Sequence, residues 1–182
     1  MILTNNRGVT LIEALIAIVI LSAGILVVGA MQTNSVRANA TAMARSQAHA
    51  VALSFLEVLQ QVSFSNTILK DTNGDGIAGL DDGRSQTGSA SPDPSQADYA
   101  LQAADFQTGG VFADVFGSAY TVNGNTLTDG RGWSYQVFWN VANQVTQAGG
   151  ATKAIRIFVY WTSPMGTNSM VITSMKYNNI AL

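Results

Sequence analysis

Residues 7–31, RGVTLIEALIAIVILSAGILVVGAM, decide how the rest of the chain is read. The 23 residues from Val9 to Met31 carry one ionisable side chain, Glu13. At ~1.5 Å per residue such a run makes a helix roughly 35 Å long, enough to cross a hydrocarbon core about 30 Å thick. A carboxylate inside that segment costs about 2.5 to 3.5 kcal/mol at mid-membrane, and less near the helix end where Glu13 lies. An acid kept at that cost calls for a partner. Cleavage after Gly8 would supply one, because the new amine on Val9 is cationic and stands one helical turn from Glu13.

The order Arg7, Gly8, Val9, Thr10, Leu11, Ile12, Glu13 resembles the class III signal of type IV pilins and pseudopilins. The resemblance implies a dedicated peptidase that cuts after Gly8 and methylates the new terminus, with Glu13 as the assembly acid. Val9 departs from the phenylalanine usual in that family, which leaves its methylation open. An ordinary secretory signal is the competing reading, but its apolar stretch runs for ~7 to 15 residues, shorter than this one. Ala23, Ala30 and Ala38 could imitate its cleavage site, and Gly-x-x-x-Gly-like spacing could serve a plain membrane anchor. Arg7 fits a cytoplasmic start, whereas Arg37 and Arg45 lie beyond the run, so charge alone fixes orientation poorly.

Outward from this segment, Val36, Ala40, Met43, Gln47, Val51, Phe55, Val58 and Val62 recur at helical intervals and mark one face of a continuing amphipathic helix. The helix is expected from about Thr10 to about Val62, with no proline inside it. Gly24 and Gly29 each cost it about 1 kcal/mol of propensity. Many major pilins have a proline at the place of Ala30, and its absence favours a minor pilin or pseudopilin.

From Ser63 the composition turns to Gly, Asp, Ser, Gln and Pro, so residues 71–98 read as loop, with a short helix expected near Tyr99 to Ala104. The last third alternates as strands do: Trp133, Tyr135, Val137, Trp139 and Val141 on one side, Ser134, Gln136, Phe138 and Asn140 on the other, then Ile155, Ile157, Val159 and Trp161. A hairpin is expected around Asn123 and Gly124, and a turn at Ser163 to Gly166 leads into a final strand. A sheet with one apolar face needs a lid, and the amphipathic half of the helix provides it. The expected class is α+β, a long N-terminal helix on a C-terminal antiparallel sheet, which is the pilin fold. Its parts are a leader at 1–8, a membrane-spanning half-helix at 9–31, an amphipathic half at 32–62, a variable loop region at 63–117 and the sheet at 118–182. The run Lys153 to Thr162 with its following turn and strand, and Ser22 to Leu26 in the apolar segment, resemble PilV-type minor pilins.

The net charge of −2 provides no basic footprint for nucleic acid, and loss of Arg7 with the leader would make the chain more acidic still. Cysteine is absent, although exported domains of this size commonly use disulfides. Another staple is therefore expected. Asp71, Asn73, Asp75, Gly76 and Asp82 follow the calcium-loop spacing D-x-[DN]-x-[DN]-G-x5-E with Asp in the last place. Asp71, Asn73, Asp75, Asp82 and the carbonyl of Ile77 would be the oxygen ligands of Ca²⁺. The loop is also similar to those of dockerins; the alternative is a surface turn rich in Asx and Gly. His49 is the sole histidine and has no nucleophile and acid around it at catalytic spacing, so no enzyme is read here. Trp133, Trp139 and Trp161 are expected in the core.

The resemblance implies a minor pilin, with other pilins, the prepilin peptidase/methyltransferase and the inner membrane as partners. Its C-terminal domain would lie in the periplasm and later on the pilus. A type II secretion pseudopilin shares the same leader and helix. A calcium-dependent adhesin or carbohydrate binder on a pilin anchor is the reading from a different class.

Overall fold

The computed structural model describes residues 10–84, 92–107, 110–116, 120–145, 151–163 and 165–178. Gly8, Val9, residues 85–91 of the low-complexity stretch and Pro164 of the last turn lie outside them. Helix α1 spans Leu11–Gln61, 51 residues without a break. The chain divides into two compact units, the first ending at Ala40 and the second beginning at Thr41.

From Leu11 to Met31 α1 is apolar on every side, and its side chains are exposed. Leu11 is 82% exposed and Leu26 75%, and the most apolar 18-residue window has a mean hydropathy of 2.8. By length and composition this helix can cross a membrane. Its hydroxyls are already satisfied internally, as where Ser22 donates to the Ile18 carbonyl at 2.8 Å. That matters in a medium without water.

In the second unit α1 buries Ala44, Ala48, Val51, Ala52, Phe55, Val58 and Leu59. The expected stripe holds for Val51, Phe55 and Val58 and fails for Met43, which is 54% exposed. The buried row is led by Ala44, Ala48 and Ala52, at intervals of four. A reading weighted by hydrophobic size overlooks such small buried side chains.

Three strands expected from alternation form the body of the sheet: β4 at Ser134–Val145, β5 at Ala151–Ser163 and β6 at Gly166–Tyr177. The expected hairpin is present as β2 (Tyr120–Asn123) and β3 (Thr126–Asp129), with Gly124 at φ +58° in its two-residue turn. The order is β2-β3-β4-β5-β6, antiparallel throughout. The expected helix near Tyr99 is not formed. Tyr99–Ala100 is instead a short strand, β1, paired with Trp139 and Phe138 of β4, and a 3-10 turn follows at Ala103–Phe106. Sheet pairing claims these residues because β3 covers β4 only as far as Gln136, leaving the next stretch of its edge open.

The core lies between α1 and one sheet face. Phe55 gathers Phe112 at 4.5 Å between ring centroids, Phe116 at 5.0 Å, Trp139 at 6.3 Å and Phe106 at 6.4 Å. Phe106, Phe112 and the short helix α2 (Ala113–Phe116) thus pack as part of the core. Trp139 and Trp161 are buried, and Trp133 packs against the same cluster. The face expected to be polar is covered too. Phe138 stacks on Phe158 and Tyr160 beneath Ala97 and Ala100, and Leu80 packs on Ala142 and Ala154. Residues 76–84 and 92–100 therefore roof the second face.

A pair of buried lysines that the sequence reading did not single out ties the sheet to the end of α1 and the turn after it. Lys153 and Lys176 are cross-strand partners on β5 and β6. Lys176 Nζ donates to the carbonyls of Leu59 (3.0 Å), Gln60 (2.5 Å) and Val62 (2.5 Å), the orphan acceptors at the end of α1. Lys153 Nζ donates to those of Phe64 (2.7 Å) and Leu69 (2.5 Å) and lies 4.6 Å from the Phe64 ring centroid. The last turn of α1 has no basic residue of its own, so the sheet supplies the cations that its dipole favours. Burial pulls both lysines below the usual lysine pKa, and Lys176 adds to the effect on Lys153.

Candidate functional site

Two groups of sequence-selected residues can be placed. The first is the loop at 71–82. Asp71 accepts from the backbone N–H of Gly74 (2.7 Å) through Oδ1 and of Gly76 (3.0 Å) through Oδ2. Gly74 and Gly76 hold the positive φ values, +76° and +63°, that turn the chain back over it. Asn73 Nδ2 bridges the carboxylates of Asp75 (2.6 Å) and Asp82 (3.4 Å). Ile77 lies in the 3-10 turn Gly76–Asp81 with its side chain 66% exposed. Asn73, Asp75 and Asp82 are thus brought together, and Asp71 braces the backbone of the same turn.

Desolvation, ahead of the hydrogen bond and repulsion from Asp82 and the field of Asp71, raises the Asp75 carboxyl above its ordinary pKa, against the opposing donation from Asn73. All five candidate ligands would offer oxygen, which suits a hard cation. Among the described residues, no group of three or more His, Cys, Asp or Glu side chains is arranged to hold a metal ion in this conformation. The Asn73 amide occupies the middle of the cluster as a donor.

Sequence reasoning missed what holds this loop. Asp98 accepts from Thr72 N (2.8 Å) and Thr72 Oγ1 (2.5 Å) through one oxygen and from Val141 N (2.8 Å) through the other. Asn140, 1% exposed, donates to the carbonyls of Leu80 (3.2 Å) and Asp82 (2.8 Å) and accepts from Asp98 N (2.9 Å). Arg156 reaches Asp81 at 2.8 Å. An Asn between Trp139 and Val141 in the most apolar part of β4 was the available signal, since a buried amide must find partners.

The second group is the start of α1. Thr10 Oγ1 and Thr10 N both donate to Glu13 Oε2 at 3.0 Å, and Glu13 N donates back to Thr10 Oγ1 at 3.4 Å. This reciprocal pair is a capping box, T-x-x-E, and satisfies N–H groups that the first turn leaves without helical partners. The spacing was visible in the sequence. Gly8 and Val9, two residues and one residue before Thr10, lie outside the described residues.

Residues 3–29 match the family described as the prokaryotic N-terminal methylation motif. The chain carries the N-terminal signal of the type IV pilin superfamily. No curated protein and no solved structure matches the chain. The pilin-type motif belongs to a family of structural subunits and implies processing by the prepilin peptidase and assembly with other pilins. One long apolar helix bearing this motif fits anchoring in a membrane followed by assembly. In that setting Glu13 has two duties. It closes the first turn of α1 through Thr10, and it places a negative charge in the first helical turn, where the dipole favours one. His49 is exposed on α1 and lines a groove with Met170 and Ile172.

Proposed function

We propose that this chain is a minor pilin of a type IV pilus, cut between Gly8 and Val9 and taking part in pilus assembly or initiation and in surface display or adhesion. The observation that carries this reading is the methylation motif at residues 3–29 opening a 51-residue helix whose outer end packs on an antiparallel sheet. Before assembly the apolar half of α1 holds the subunit in the inner membrane with its folded unit in the periplasm. On assembly the Val9 amine of one subunit pairs with Glu13 of its neighbour. At about 4 Å and an effective dielectric near 20 the attraction is ~4 kcal/mol before desolvation, enough to set register between helices. Mass spectrometry of sheared surface fibres tests the reading. It should find the chain there at low stoichiometry; recovery solely with a secretion apparatus would support a pseudopilin instead.

The loop at 71–82 supports a second proposal, that Asp71, Asn73, Asp75, Asp82 and the Ile77 carbonyl hold Ca²⁺. A cation would favour the charged form of Asp75 against the desolvation and the neighbouring Asp82 and Asp71 that raise its pKa, after rotation of the Asn73 amide to present its oxygen. It would stiffen a region whose ties to the sheet run through Asp98 and Asn140, as part of a calcium-dependent adhesive surface. Calorimetric titration with Ca²⁺ should show binding in the range of ~10⁻⁴ to 10⁻³ M typical of extracellular sites. Absence of heat together with a thermal midpoint indifferent to chelator would defeat it.

A further inference from the structure

The sheet treats its two edges differently. At one end β2 is four residues long, and the edge of β4 beyond β3 is closed by β1 and by the Asp98 carboxylate bonding Val141 N. At the other end β6 presents twelve residues, paired to β5 on one side only. Its register with β5 is one-to-one from Gly166 to Tyr177, so no bulge twists the edge away. It contains no proline, and its one charged residue, Lys176, points inward and is spent on the end of α1. Exported proteins shield long regular edges by shortening, charging, bulging or covering them. Near its end Gln60 Nε2 covers the Met175 carbonyl at 3.4 Å; along the rest of β6 none of these devices is found among the described residues.

Beside this edge lies a groove of about 570 Å³ between α1 and β6, floored by Met170, Val171 and Ile172 and walled by Ala42, Arg45, Ser46 and His49. Met170 and Ile172 are only partly buried, though they pack on the core. Neither Arg45 nor His49 has an acidic partner among the described residues. A strand added to β6 would send alternate side chains into this groove, apolar ones over Met170 and Ile172 and an acidic one toward Arg45.

We propose that β6 is a docking edge for an extended segment of a different exported subunit, one that alternates apolar residues and carries an acid facing Arg45 and His49. A second copy fits less well. Residues 42–49 lie by Met170–Ile172 and Gln60 bonds Ser174, so the 41–61 segment runs in the direction of β6. A two-fold β6 pair would set two such segments antiparallel, whereas subunits of one polar filament share an orientation. The inference rests on the pilin reading for its setting and adds the partner class and the surface.

The test uses the full-length chain, whose lack of cysteine makes introduced thiols unique. Ser169→Cys and Thr173→Cys on β6, with Thr121→Cys on β2 as control, are labelled on intact cells with a membrane-impermeant maleimide, then again after detergent extraction to monomer. The expected result is loss of β6 labelling in the native state and its recovery in the monomer, with the control labelled in both. A benzophenone maleimide on the same cysteines should yield an adduct with a different protein, joined through an extended acidic segment. Arg45→Glu should restore native labelling. Equal labelling of β6 in both states, or an adduct of two copies of this chain, overturns the proposal. Protection of β6 in a chain absent from surface fibres would sustain the docking edge and overturn the pilus reading alone.

Discussion

Replacing Lys176 by Met should show how much of the fold depends on a cation lent by the sheet to the helix. The substitution keeps most of the side-chain volume and removes three hydrogen bonds, to the carbonyls of Leu59, Gln60 and Val62. Leu59 is buried, so its carbonyl has no ready water, while Gln60 and Val62 are half-buried and recover part of their loss. At about 1 to 3 kcal/mol for a buried acceptor left without a donor, and less for the other two, the sum is about 3 kcal/mol after the ammonium's own desolvation cost is returned. For a chain of this size that corresponds to a fall in Tm of about 6 to 12 °C. Thermal unfolding of the full chain in micelles, followed by circular dichroism, measures it. A second expected sign is a rise in the pKa of Lys153, which Lys176 helps to depress. A midpoint within about 2 °C of the parent would refute the reasoning, because the end of α1 would then be held by something other than these bonds.

Asn140→Ala should cost about 2 kcal/mol by leaving the carbonyls of Leu80 and Asp82 unpaired, and should speed proteolysis in the 71–98 region more than in β4 to β6. Uniform acceleration across the domain would count against a local anchoring role. Asp75 has a raised pKa, so the native loop binds its proton more tightly than the unfolded chain does; that stabilisation is full below the ordinary carboxylate pKa and is lost as pH rises through the raised one. Asp75→Asn should therefore flatten the pH dependence of stability across that acidic window, as read from urea unfolding at stepped pH, and an unchanged slope would contradict it. Glu13→Gln retains a capping-box acceptor and discards the charge, whereas Glu13→Ala discards both. Both should insert in the membrane and both should incorporate poorly into filaments. Normal incorporation of the Gln variant would assign Glu13 to helix capping rather than to pairing with an amine.

The long helix and the three major strands were legible because both rest on local periodicity, and the hairpin because Gly124 marks its turn. The buried face of α1 was read less well. Ala44, Ala48 and Ala52 carry little hydrophobic weight yet are fully buried, while Met43, heavier on any such scale, is exposed. Long-range ties were hidden for a different reason. Asp98 bonding Val141, Asn140 bonding Leu80 and Asp82, and Lys176 reaching Leu59 join residues 43 to 117 positions apart, and no spacing rule connects them. Tyr99–Ala100 became a strand because an open stretch of β4 was available, a fact of topology. At the candidate sites the residue types announced both the calcium-type loop and the acid of α1. The T-x-x-E box at Thr10 was equally present in the letters and was obscured by the stronger signal of the apolar run.

The intact mass and N-terminal sequence of the chain recovered from its native cells bear most directly on the whole account. The mature polypeptide should begin at Val9, lighter by the leader Met1 to Gly8, with or without one added methyl on the amine. A chain that still begins at Met1, or one trimmed at any other bond, would contradict it, since Glu13 would then have no cationic terminus to meet in a neighbouring subunit.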